Sequence, residues 1–280
     1  MKKQIDAHQH FWKYDPELYP WIAGDLSPLG RDFLPADLAP ILRSQGISGS
    51  VAVQARQDLA ETAWLLRLAE QDPWILGVVG WVDLRSEDLA AQLAALAHPK
   101  LRGIRHVLQD ESPEFLLDPH FQRGVGQLAA AGLTYDLLVY PQHLPNSFTL
   151  CEDNPELWMV LDHCAKPEIR SGALRPWRDD IRRIAELPNV LCKVSGLVTE
   201  AAWNTWKPDD FKVYLDTVFE AFGIDRVMFG SDWPVCTVAA SYDKVYELVK
   251  NYTDTLSLDE RTALFGGTAQ RFYQLSFSEE

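Results

Sequence analysis

The sequence alternates apolar, strand-like runs with amphipathic, helix-like runs, and this alternation repeats along the whole chain. The runs predicted as strands are 4–10, 49–54, 74–82, 101–108, 133–140, 158–163, 189–195 and 226–230. The predicted helices are 34–45, 59–71, 86–97, 121–131, 146–154, 177–186, 209–222, 242–252 and 258–273. Strands that are apolar throughout indicate a parallel sheet whose outer face is covered by helices.

Repeated strand-helix units in a chain of 280 residues predict an α/β fold, a closed (β/α)8 TIM barrel that forms a single domain over residues 1–280. An open, doubly wound sheet is the structural alternative, but such a sheet usually has fewer strands and a glycine-rich first turn. The first turn of this sequence carries two histidines instead. Neither a shift in composition nor a linker divides the chain.

A long loop rich in aromatic residues and prolines follows the first predicted strand. Its aromatic residues include Tyr14, Tyr19 and Trp21, and such a composition argues against disorder. Loops of about twenty residues inside a compact domain are usually functional. We therefore expect residues 11–33 to form a lid over the mouth of the barrel.

The first strand carries two histidines, His8 and His10. Alternate residues of an extended chain point to the same side, so the two imidazoles should converge on one point. Two imidazoles placed in this way suit a divalent metal ion or an oxyanion. The alternative is a surface strand with two incidental histidines.

Polar residues also follow the other apolar strands, at the end of the barrel where catalytic groups collect. Burying polar groups without partners costs roughly 1–3 kcal/mol for each group, so these strand ends predict a polar cavity. Three of these residues also have a structural interpretation: Asp232 as a helix cap or turn residue, His163 as a core histidine bonded to Asp162, and Arg105 as a rim salt bridge. The polar candidates at these ends are Arg105, Asp136, His163, Lys193 and Asp232.

The charge balance restricts the class of partner. A net charge of −14 argues against nucleic acid or an anionic membrane as a partner. The 4 cysteines show no paired spacing. Cys164 and Cys192 lie inside apolar, strand-like runs, where we expect reduced, buried thiols. The amino terminus has no apolar signal segment, and no apolar run approaches the length of a membrane span. We expect a cytoplasmic protein, and a homo-oligomer is compatible with the sequence.

Four motifs resemble those of the amidohydrolase superfamily. They are Asp-Ala-His-Gln-His-Phe-Trp at 6–12, Asp-His-Cys-Ala-Lys-Pro at 162–167, Gly-Ser-Asp-Trp-Pro at 230–234 and Leu-Phe-Gly-Gly-Thr-Ala at 264–269. The aromatic residues beside the histidine pair resemble the sugar-lactone hydrolase branch, with its L-fuconolactonase-like, L-rhamnonolactonase-like and pyrone-dicarboxylate lactonase-like enzymes. The resemblance covers the whole chain and implies hydrolysis of a sugar-acid lactone.

The sequence departs from the two-metal members of that superfamily. Those members carry a bridging lysine after strand four and a metal-binding histidine after strand five, whereas this chain has Arg105 and Asp136 at these ends. We therefore expect at most one divalent ion, zinc first, held by His8, His10 and Asp232. Some relatives are thought to work without metal, and the sequence leaves that alternative open.

The resemblance and the strand-end positions together suggest roles for the site residues. Asp232 would be the general base for water attack, His163 would position the water or protonate the leaving alkoxide, and Arg105 would polarise the carbonyl. A metal-dependent decarboxylase and a non-catalytic sugar-binding barrel are the two functional alternatives. The expected substrate-binding residues are His8, His10, Trp12, Asp136, Lys193 and Trp233.

Overall fold

A computed structural model of the protein describes residues 3–277, so both ends of the predicted 1–280 domain lie outside the described residues. The strands are β1 Gln4–Gln9, β2 Ile47–Val53, β3 Ile75–Gly80, β4 Leu101–His106, β5 Thr134–Leu137, β6 Met159–Leu161, β7 Val190–Val194 and β8 Val227–Phe229. The helices are α1 Pro35–Ser44, α2 Leu59–Gln71, α3 Leu89–Ala95, α4 Pro119–Gly126, α5 Leu144–Glu152, α6 Trp177–Ile184, α7 Pro208–Phe222, α8 Tyr242–Tyr252, α9 Leu258–Thr262 and α10 Thr268–Phe272. Across the described residues, none of these helices has the length and apolar character that a membrane crossing requires.

The strands form one sheet of 8 parallel strands in chain order, and this confirms the predicted (β/α)8 barrel. Every residue of β3 is buried, because one face packs in the barrel interior and the other packs under helices. The barrel closes between β8 and β1 through two backbone hydrogen bonds. Asp232 N–H donates to His8 O at 2.8 Å, and His10 N–H donates to Trp233 O at 2.7 Å. The seam therefore places the residues after the last strand beside those of the first.

The predicted helix boundaries differ from the structure at two informative places. The helix expected over 258–273 is divided into α9 and α10 by a π-helical turn at Ala263–Gly267. A Cβ atom at Gly266 would lie 2.8 Å from Lys3 O, so only glycine lets this turn pack against the start of β1. The helix expected from Ser86 begins at Leu89 instead, because the Ser86 hydroxyl accepts from Asp88 N–H ahead of the helix.

The loop after β1 lies over the carboxyl-terminal mouth of the barrel, as the sequence predicts. Leu18, Pro20 and Trp21 of this loop line the same cavity as residues of the strand ends. The loop is packed around Trp12, whose ring centroid lies 5.2 Å from that of Phe33 and 5.6 Å from that of Trp21. These aromatic contacts join the lid to the main hydrophobic core of the protein.

A buried carboxylate, Glu61, ties the lid to the barrel. The Tyr19 hydroxyl donates to Glu61 Oε1 at 3.0 Å. The backbone N–H groups of Ala55 and Arg56 donate to Glu61 Oε2 at 3.0 Å and 2.9 Å. Burial raises the pKa of Glu61 to about 7, although these hydrogen bonds and the charge of Arg56 oppose the shift.

We expect Glu61→Gln to stabilise the protein more at pH 8 than at pH 5. Because the pKa of Glu61 is raised on folding, its contribution to stability is fully present at low pH and is lost as the pH rises through about 7. The glutamine side chain does not titrate, but it retains one hydrogen-bond acceptor and one hydrogen-bond donor group. Urea unfolding at both pH values measures the difference from wild type. An equal difference at both would contradict the expectation, and the exposed Glu220→Gln should show little pH-dependent difference.

Candidate active site

A cavity of about 720 Å3 opens at the carboxyl-terminal mouth of the barrel, beneath the lid. Its walls combine apolar lid residues with polar side chains from the strand ends. Deep pockets with a few convergent polar groups are the usual sites of small-molecule binding. The predicted site residues that line it are His10, Arg105, His163 and Asp232.

The two histidines of β1 converge as the alternation of the strand predicts, with their Nε2 atoms 3.2 Å apart. His10 Nδ1 lies 2.8 Å from Val53 O, and a carbonyl only accepts, so this nitrogen carries the proton. His8 Nδ1 lies 3.3 Å from the carboxylate oxygen Asp162 Oδ1 and 3.1 Å from the ammonium nitrogen Lys193 Nζ, so its neighbours allow either tautomer of His8. With the proton of His8 at Nδ1, both Nε2 lone pairs face one point. Two lone pairs that converge in this way can bind a positive species.

Asp232 reaches this point from the other side of the barrel seam. Its Oδ1 atom lies 3.3 Å from His10 Nε2 and 3.9 Å from His8 Nε2. The backbone of Asp232 is left-handed, with φ 59°, a conformation that aspartate tolerates better than most residues. Burial opposes ionisation of this carboxyl, but the neighbouring His163 and His10 outweigh burial and hold its pKa below the usual range. Asp232 is therefore an anion at neutral pH.

The donor atoms fit a single divalent metal ion. A tetrahedral zinc with bonds of roughly 2.0–2.2 Å separates its ligand atoms by about 3.3–3.6 Å. The separations among His8 Nε2, His10 Nε2 and Asp232 Oδ1 are 3.2, 3.3 and 3.9 Å. The Nδ1 partners of both histidines provide the outer support that metal-binding imidazoles commonly have. A second group of potential ligands, His8, Asp162 and His163, shares His8 with the first.

His163 closes the cluster from the β6 side. Its Nε2 lies 3.9 Å from Asp232 Oδ1, and its Nδ1 lies 2.8 Å from Ser195 Oγ. Burial lowers the pKa of His163 to about 4, although the charges of Asp232 and Asp162 oppose the shift. The imidazole is therefore neutral at neutral pH and can accept or relay a proton at Nε2.

Arg105 places a positive group beside the histidine pair on the cavity wall. Its Nη1 donates to Asp162 Oδ2 at 3.0 Å and lies 3.3 Å from His8 Nε2. Its Nη2 donates to the backbone oxygen of Gln54. The side chain is 4% exposed, so these contacts fix a guanidinium on the cavity wall with little freedom to move.

A layer of buried charges lies behind the histidine pair. Lys193 Nζ lies 2.5 Å from Asp136 Oδ2, 3.0 Å from Asp162 Oδ1 and 3.1 Å from His8 Nδ1. The Tyr273 hydroxyl donates to Asp136 Oδ2 at 2.7 Å. Burial raises the pKa of Asp136 to about 6 against the charge of Lys193. The net charge of Lys193 and Arg105 balances that of Asp136 and Asp162, so the layer is neutral overall.

Several residues expected to bind substrate lie away from the cavity wall. Asp136 and Lys193 are fully buried because each satisfies the other inside the barrel. Trp12 donates from Nε1 to Arg31 O at 2.9 Å and supports the lid from within. Trp233 is also buried, with its ring 5.4 Å from that of Phe33. Within the described part of the chain, the expected site residues that do not line the cavity are His8, Trp12, Asp136, Lys193 and Trp233.

The structure adds two supporting carboxylates that the sequence does not single out. Asp162, considered from the sequence as a partner of His163, contacts Arg105 and His8 instead. Asp6 accepts from Ser231 Oγ at 2.6 Å and from Tyr242 Oη at 3.0 Å, so it ties β1 to the segment that carries Asp232. Burial raises the pKa of Asp6 to about 6. The available signal for Asp6 is a carboxylate two residues before His8 on the same strand.

A parallel barrel with a histidine pair on its first strand and an aspartate after its last defines a barrel enzyme with a candidate metal centre. The family model for amidohydrolases matches residues 5–275, and the chain belongs to this family.

Relatives of the chain align over nearly their full length. A protein of Burkholderia multivorans named L-fucono-1,5-lactonase is 46% identical over 97% of this chain and 96% of its own. A second L-fucono-1,5-lactonase, from Burkholderia ambifaria, is 39% identical over 98% and 97%. A crystal structure of an amidohydrolase from Burkholderia multivorans with bound zinc is 47% identical, with a TM-score of 0.95, over 98% of this chain and 100% of that one.

Proposed function

We propose that this protein is a hydrolase that opens a sugar-acid lactone, with L-fuconolactone-like and L-rhamnonolactone-like rings as the first substrates. The observation that carries the proposal is the convergence of His10, Arg105, His163 and Asp232 on one cavity wall. Two near-full-length relatives named as L-fucono-1,5-lactonases support this choice of substrate class.

Opening a lactone requires water to attack the ring carbonyl and the ring C–O bond to break, which yields a hydroxy acid. Asp232 is ionised and buried at the cluster, so it accepts the proton of the attacking water. His163 Nε2 lies 3.9 Å from Asp232 Oδ1, a separation that one water molecule can bridge. Through that water molecule the proton passes from Asp232 to His163 Nε2, and His163 gives it to the departing ring oxygen, so both side chains return to their starting protonation states. General acid–base catalysis of this kind typically contributes about 10²–10⁴-fold.

The carbonyl oxygen gains negative charge as the water adds, and this charge must be stabilised by positive groups close to the oxygen. Arg105 is held by Asp162 on the cavity wall and supplies that charge without reorganising during the reaction. His10 borders the same wall. Asp162 and Lys193 act from behind the site, where they hold His8 and Arg105 in place.

One divalent ion, zinc first, completes the proposed site, with His8, His10 and Asp232 as its ligands. When bound, such an ion polarises a carbonyl and lowers the pKa of water. The ligand separations described above and the zinc-bound relative support this assignment.

The test is an acid-release screen of the purified protein against sugar lactones, with and without chelator. We expect release of acid from a sugar δ-lactone well above the spontaneous rate, and a lower rate after chelation. Elemental analysis should give at most one equivalent of metal per chain. Carbon dioxide released from aromatic acids, with no lactone opened, would support a decarboxylase instead. Lactone binding without any turnover would support the sugar-binding barrel.

A further inference from the structure

A left-handed turn follows β6. Four consecutive residues have positive φ: His163 at 55°, Cys164 at 53°, Ala165 at 56° and Lys166 at 48°. Residues other than glycine adopt this conformation only at a cost in free energy. Trp177 offsets part of the cost, because its Nε1 donates to Cys164 O at 2.8 Å. Strain of this kind persists only where surrounding contacts impose it, and it is concentrated at functional sites.

The turn presents a second side chain to the cavity. Lys166 lines the cavity together with His163, and its side chain is 16% exposed. The Lys166 ammonium lies 5.2 Å from the centre of the Tyr140 ring, so the ring helps to hold its charge in place. The turn therefore delivers one neutral imidazole and one cation to the same wall.

Glu200 faces Lys166 across a short gap. The distance from Lys166 Nζ to Glu200 Oε1 is 3.7 Å, longer than a normal hydrogen bond. Glu200 ends the 3-10 turn Leu197–Glu200, which follows Gly196 at φ 61°. A Cβ at Gly196 would lie 2.5 Å from His163 Nδ1, so glycine is required for this turn to pack against the catalytic cluster. Glu200 therefore reaches the cavity by a backbone path built around His163.

We propose that Lys166 and Glu200 together bind adjacent hydroxyl groups of the lactone ring, and this inference rests on the proposed function. A lysine only donates and a carboxylate only accepts, whereas every hydroxyl does both. One hydroxyl can therefore accept from Nζ while its neighbour on the ring donates to Oε1, so that two adjacent hydroxyls bind side by side to the pair, whose charged atoms lie 3.7 Å apart. Hydrogen bonds to charged groups are stronger than neutral ones. The pair thus selects polyhydroxylated lactones over unsubstituted rings.

The test compares Lys166→Met and Glu200→Gln with wild type. Two stable ring amides serve as probes: a polyhydroxylated sugar δ-lactam and δ-valerolactam, which lacks the hydroxyls. Calorimetry should show that each variant weakens binding of the sugar lactam about 10- to 100-fold, and leaves any binding of valerolactam unchanged. On a sugar lactone KM should rise by a similar factor, while kcat stays within about threefold. Because the two side chains share the same hydroxyls, the double variant should lose little more than either single variant.

Lys212→Met is the matched control, because Lys212 forms an exposed ion pair with Asp216 at 2.8 Å on α7. It should leave binding of both lactams unchanged. Sugar-lactam affinity that does not change in folded Lys166→Met and Glu200→Gln proteins would overturn the inference. So would an equal loss of valerolactam binding, or a fall in kcat without a rise in KM. A further outcome is that the wild-type protein opens no lactone while both variants bind the sugar lactam more weakly than it does. In that case the proposed function fails and the hydroxyl-binding pair stands.

Discussion

Replacing Asp232 with asparagine should lower kcat for lactone opening by about 10²–10⁴-fold. The amide keeps the volume and much of the hydrogen bonding of the carboxylate but cannot accept the proton of the attacking water. It also removes an anion that lies 3.3 Å from His10 Nε2. Steady-state kinetics with excess zinc measure the loss, so that weaker metal binding does not by itself account for it.

The exposed Asp254→Asn is the matched control for Asp232→Asn, because Asp254 is 77% exposed and pairs with Arg261 on the surface. It should leave kcat unchanged. Retention of more than about a tenth of the wild-type kcat by a well-folded Asp232→Asn protein would contradict the role of Asp232 as the base. A large drop in melting temperature would instead indicate a structural role.

Replacing Lys193 with methionine should destabilise the protein by about 3–5 kcal/mol. The side chain of Lys193 is fully buried between Asp136 and Asp162. Removing its charge leaves two buried carboxylates without their shared cation, and water cannot reach them. Urea unfolding measures the change in the free energy of unfolding.

Two comparisons identify the cause of this loss. Lys212→Met removes an exposed ion pair and should change stability by no more than about 1 kcal/mol. The double variant Lys193→Met with Asp136→Asn should be more stable than Lys193→Met alone, because one uncompensated charge has been removed. A loss of under about 1 kcal/mol in Lys193→Met would show that the buried pairs do not carry the stability assigned to them.

The sequence predicts the barrel and the centre of the site because both follow from simple periodicities. The alternation along an extended strand places His8 and His10 on one side, as their 3.2 Å separation confirms. The order of strands in a closed barrel brings the last strand beside the first, and this places Asp232 within 3.3 Å of His10. Neither inference requires knowledge of side-chain packing.

The depth at which a polar side chain lies within the barrel cannot be derived from the alternation and the strand order. Asp136 and Lys193 do point inward, but they lie behind the cavity wall, where each satisfies the other. Whether an inward polar residue reaches the mouth depends on the stagger of neighbouring strands. That stagger is set by the whole sheet rather than by local sequence.

The turn after β6 shows the limit of local propensity. Nothing in Asp162, His163 and Lys166 predicts a left-handed path, because residues other than glycine avoid it. The conformation is imposed by contacts from other elements, such as the hydrogen bond from Trp177 Nε1 to Cys164 O. As a result, Asp162 contacts Arg105 rather than His163, and Lys166 enters the cavity.

The most direct test of lactone opening by water is to run the reaction in water labelled with the heavy oxygen isotope. Mass spectrometry of the product from a sugar δ-lactone then locates the label. Attack of water on the carbonyl, with Asp232 as the base, predicts one labelled oxygen in the new carboxylate and none in the hydroxyl released from the ring. Label in the released hydroxyl, or no product above the spontaneous reaction, would contradict the account.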